Sequence, residues 1–125
     1  MSSADRTVAA LDKLAEALRQ TVTELEVLVE RAAHLRDEVA SGRPLQETMA
    51  GEARPLIITQ LVTITDRLHE AGGAVRRTEA RQLRDEGCTH EQIAEIFGVT
   101  RQRASALLKP PPAEPRRPKR PKPQR

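Results

Sequence analysis

The chain has 125 residues, 38% hydrophobic and 31% charged, and its single aromatic, Phe97, limits it to small helical cores. One cysteine, Cys88, excludes an intramolecular disulfide, and no apolar run approaches the ~20 residues that cross a bilayer. The formal charge of +3 is uneven: residues 1–73 carry 8 basic and 12 acidic side chains, residues 74–108 carry 6 and 5, and residues 109–125 carry 7 and 1. Positive charge gathered at one end suits a polyanionic partner there. The opening residues, M-S-S-A-D-R, have no signal-peptide core, and a cytoplasmic protein is expected.

From Asp5 to about Ala40 there is neither Gly nor Pro, and apolar residues recur in heptads. Leu11, Leu18, Leu25, Ala32 and Val39 form one row; Leu14, Thr21, Leu28 and Leu35 form a companion row. Ala15, Val22 and Val29 widen the stripe to three positions per heptad, which suits a helix with two neighbours better than a simple coiled coil. Such a helix is about 50 Å long. Its stripe must be covered by the next helix, by a second copy of the chain, or by both.

Gly42 and Pro44 are expected to end this helix, and Leu45–Ala50 is long enough for a further turn. Pro55 then opens a second helix with Ile57, Leu61, Ile64 and Leu68 on one face. Its β-branched residues would also suit a strand, but no other segment offers a partner strand. Gly72 and Gly73 predict a break, followed by a third helix with Ala80 and Leu83 inward. Arg77, Arg81 and Arg84 share one face of that helix, as a helix lying across a phosphate backbone would present them. Pairing with Glu79, Asp85 and Glu86 on a solvated face is the competing reading.

His90–Lys109 reads as two short helices around a tight turn. Ile93, Ala94, Phe97, Val99, Ala104 and Leu107 occupy the places where the helices touch, with Gly98 at the turn. Thr89 with Gln92 predicts a capping pair, Thr100 a second cap, and Cys88 a small buried residue. The outward positions of the second helix, Thr100, Arg101, Gln102, Arg103, Ser105 and Lys109, include no acid. On these residues Ala74–Leu108 resembles the helix-turn-helix of the promoter-reading fourth region of bacterial sigma factors and of resolvase-type DNA-binding domains. That resemblance implies a base-reading helix and a duplex DNA ligand.

Lys109–Arg125 holds seven of the nine prolines and only Ala113 as an apolar side chain, so a disordered, partly polyproline-II tail is expected. It presents Arg116, Arg117, Lys119, Arg120, Lys122 and Arg125 to phosphates and resembles the basic proline-rich tails of chromosome-coating proteins. No Gly lies between its arginines, which disfavours A·T-specific minor-groove insertion.

No constellation for catalysis appears. His34, His69 and His90 are far apart, no paired cysteines or glycine-rich phosphate loop occur, and no cofactor or metal is expected. Without Trp or Tyr, and with Phe97 expected to be enclosed by the turn, there is no platform for stacking single-stranded bases. The expectation is an all-α protein with three parts: a helical dimerisation region over 1–73, a helix-turn-helix DNA-binding domain over 74–108, and a basic tail over 109–125. It would be a homodimer acting as a transcription regulator or a nucleoid-associated protein. The alternative from another class is an adaptor that docks on RNA polymerase or a sigma factor through the N-terminal helix.

Overall fold

The computed structural model describes residues 1–110, which form five α-helices and no strand. They are α1 (Ser3–Ala40), α2 (Leu45–Gly51), α3 (Ile57–Asp85), α4 (His90–Phe97) and α5 (Arg101–Leu108). The tail beyond, with Arg116, Arg117, Lys119, Arg120 and Lys122, lies outside the described residues. No described helix is long and apolar enough to cross a membrane.

Helix α1 starts with a capping box: the Ser2 hydroxyl accepts from the Asp5 amide while the Asp5 carboxylate accepts from the Ser2 amide. It stops where expected. Gly42 takes the left-handed φ of 87° that closes the helix, and Arg43 N donates back to the Glu38 carbonyl at 3.3 Å. The start of α3 has no side-chain cap from its own flank. Instead the Glu52 carboxylate accepts from the Ile57 amide at 3.0 Å and from Arg31 Nη2 at 3.2 Å, while the same Arg31 nitrogen reaches the Ala53 and Pro55 carbonyls. One guanidinium on α1 thereby holds the loop that sets the start of α3.

The break expected at Gly72–Gly73 is absent, because α3 runs through both glycines and on to Asp85. Two glycines inside a helix cost about 2 kcal/mol relative to alanines. Neither removes an N–H from the helical ladder, as proline would, and α1 is long enough to pack beside both halves of α3. Packing overrides the propensity. The 73/74 boundary expected from sequence therefore falls within a helix.

Helices α1 and α3 form an antiparallel hairpin. Arg31 meets the Ala53–Pro55 loop at one end, Arg67 meets Thr21 and Glu24 in the middle, and Ser3 donates to Asp85 at the other end. Ala10, Thr21 and Leu28 are buried from α1, and Ile64 and Val75 from α3. One of the three expected rows is thereby accounted for: α3 covers the row containing Thr21 and Leu28. Leu11, Leu18, Leu25, Val22 and Val29 stay exposed.

Arg67 grips Glu24 with both terminal nitrogens, Nη2 at 2.7 Å and Nη1 at 3.1 Å, and Nη2 also reaches Thr21 Oγ1 at 3.0 Å. The hydrogen bonds from Arg67 hold the Glu24 carboxyl below the ordinary glutamate range; burial opposes them, and the Arg67 charge and Gln20 assist. A carboxyl lowered on folding adds stability that is complete above its unfolded pKa, about 4.3, and is lost as pH falls through the folded value. Glu24→Gln is therefore expected to melt below the parent at pH 7, with the difference shrinking as pH drops from about 4.3. Thermal melts followed by circular dichroism between neutral and acid pH check this; a constant difference refutes it.

Candidate nucleic-acid interface

The C-terminal half of α3 packs with α4 and α5 around Ala80, Ile93, Ala94 and Ala104. Leu83, Cys88, Phe97, Val99, Leu107 and Leu108 surround this cluster. Three of its four buried members are alanines, so the helix backbones can approach closely at Ala80, Ala94 and Ala104. Cys88 lies against the cluster but is only half-buried. Phe97, expected to be enclosed by the turn, is also half-buried and carries the Arg76 guanidinium 4.2 Å from its ring centroid.

Local chemistry positions both short helices. Gly87, with φ of 98°, closes α3, and the Cys88 amide donates back to the Leu83 carbonyl at 2.9 Å. Thr89 and Gln92 form the expected reciprocal capping box at the start of α4. Gly98 ends that helix at φ 66°, and the Val99 amide returns to the Ala94 carbonyl at 3.0 Å. The Thr100 hydroxyl caps α5 by accepting from the Arg103 amide at 3.2 Å.

The exposed side of α5 carries the residues proposed from sequence. Arg101, Gln102, Ser105 and Lys109 line one shallow concavity. Arg101, Gln102, Arg103 and Lys109 are exposed, whereas Ser105 is half-buried and sits 2.9 Å from His90 Nδ1, tying α5 to the first residue of α4. Arg101 lies 3.3 Å from Glu91 on α4, but both side chains are about two-thirds exposed, so a pair of this kind costs little to open.

The three arginines of α3 share a helix face by their spacing but border two different hollows. Arg77 lines a hollow with Arg76, Arg103, Val99 and Leu107, between α3 and α5. Arg81 and Arg84 line a different hollow with Ser3, Arg6, His90 and Leu108, and Arg84 Nη1 donates to the Cys88 carbonyl at 3.0 Å. Two basic residues escaped the sequence reading. Arg76 had a visible signal, since it adjoins Arg77 in the same basic run. Arg6 had none, because only the antiparallel hairpin brings the start of α1 beside Arg81 and Arg84.

No family model, curated protein or solved structure matches the chain.

Proposed function

We propose that this chain binds double-stranded DNA through a helix-turn-helix formed by α4 and α5, with α3 as its supporting helix, and acts as a transcription regulator or a nucleoid-associated protein. The observation that carries the reading is the exposed side of α5. Arg101, Gln102 and Lys109 converge there on one concavity, α5 contains no acid, and its opposite side is anchored by the buried Ala104. A short helix with donors outward and a small residue inward can enter a major groove, where Arg grips guanine and Gln grips adenine through two hydrogen bonds each. Arg103 and Arg77, which share a hollow beside α5, are placed to take phosphates.

Ser105 acts in this proposal mainly by holding α5 against His90, and only its remaining hydrogen-bonding capacity is free for a base. Base discrimination then rests on Arg101 and Gln102. Replacing Arg101 by Ala is expected to remove about 1 to 3 kcal/mol of preference between sites while weakening binding to random duplex far less. The check is selection of preferred duplexes from a random library, followed by anisotropy titrations of parent and variant on selected and scrambled duplexes. Equal loss on every sequence would move Arg101 to the phosphate contacts, and no binding of duplex by the parent would overturn the function itself.

A further inference from the structure

We infer that one side of the α1–α3 hairpin is the seat of a second copy of this chain, the two hairpins closing into a four-helix bundle. At about 100° per residue, Leu25, Leu18, Leu11, Val29 and Val22 lie roughly 60° to 120° to one side of the buried row Ala10, Thr21 and Leu28. On α3, Leu61 and Ile58 lie about 60° and 120° from buried Ile64 in the same rotational sense, and Val62 lies just beyond. For two antiparallel helices packed on each other, the same sense of rotation leads to the same side of the pair. The apolar remainder of both helices is thus one surface. Arg67 is paired with Glu24 across the opposite side, where Lys13, Gln20, Thr63 and Glu70 also project.

This surface has no stabilising partner within the described residues. Val29, Ile58 and Val22 are 69%, 68% and 58% exposed, and Leu11, Leu18, Leu25, Leu61 and Val62 are exposed as well. Together these eight side chains offer on the order of 800 Å² to solvent, more than the largest apolar patch of an ordinary monomer and close to what each partner contributes to a standard interface. From Leu11 to Ala33 this side of α1 bears no charge at its centre, and Arg19 and Glu26 stand at its margin. On α3 from Ile58 to Gly72 the titratable groups near it are His69 and, at its margin beside Val62, Asp66.

An apolar centre with a charged rim is the composition of a homodimer interface. With no central charge to be matched by a complementary partner, its simplest complement is itself, related by a two-fold axis. Two hairpins face to face bury all four stripes, the arrangement of helical bundles. If α4 and α5 read DNA as proposed, this contact couples two reading heads, so that each head raises the effective concentration of the other.

The test is sedimentation equilibrium of the full chain without DNA, so that it stands apart from the DNA-binding reading. A dimer at micromolar concentration is expected. Leu18→Asp with Leu25→Asp should give a monomer, its dissociation constant raised by more than about 100-fold because each substitution buries a charge. Val22→Ser with Val29→Ser, which preserves the inward face, should weaken association by at least about tenfold while helicity stays at the parental level. Thr23→Asp, on the far side of α1, should leave the dimer intact. A monomeric parent at tens of micromolar would overturn the inference and assign the surface to a different protein. So would a parental dimer that tolerates both the aspartate and the serine pairs.

Discussion

Ile93→Ala is expected to unfold α4 and α5 and abolish duplex binding while the α1–α3 hairpin remains helical. Ile93 is fully buried, and it is the only large side chain among the four buried residues of its cluster, the others being Ala80, Ala94 and Ala104. Truncating a buried isoleucine to alanine costs about 2 to 5 kcal/mol, because the lost transfer energy is joined by the cost of the cavity. The alanine members have no side chains that can turn into the gap, so any relaxation must come from Leu83, Leu107 and Leu108 around the cluster. So small a helical unit has only a few kcal/mol to lose. Amide exchange would show protection lost over His90–Leu108 and retained over the middle of α1. Ile93→Val, which removes one methylene, should cost about 0.5 to 1.5 kcal/mol and keep measurable binding. Parental binding by Ile93→Ala would show that this cluster does not support the reading surface.

Deleting Pro110–Arg125 is expected to lower affinity for every duplex alike while preserving the preference between sites. The deletion removes Arg116, Arg117, Lys119, Arg120, Lys122 and Arg125 against one acid, Glu114. If four of these bases contact phosphate, the slope of log affinity against log salt should fall by roughly 3 to 4 units. The loss should be greatest at low salt and fade as screening shortens toward ~8 Å at physiological ionic strength. Titrations of the parent and truncated chains over a salt series check this. An unchanged slope would remove phosphate contact from the tail, and a changed site preference would mean that it reads bases.

Helix ends were legible in the sequence because they depend on a few adjacent residues. Thr89 with Gln92 and Thr100 cap the helices they precede, and Gly42 and Gly98 take positive φ where helices stop. Ala80, Ile93 and Ala104 were legible as inward residues because helical periodicity within one short segment places them on one face. The exposed set on α5 followed from the same periodicity, read outward.

What only the tertiary structure decided lies between segments distant in sequence. Heptad spacing marked three apolar rows on α1 but could not say which of them α3 would cover, because that depends on the rotation and register of two helices whose starts are more than 50 residues apart. Arg31 on the Glu52–Pro55 loop and Arg67 on Glu24 tie that register across the hairpin. The same pairing carries α3 through Gly72 and Gly73, since local propensity there is opposed by contact with a helix from another part of the chain. It also sets Arg6 beside Arg81 and Arg84. Local preferences of about 1 kcal/mol per residue set the ends of helices, whereas the larger burial energy of the whole hairpin set which faces meet and which stay open.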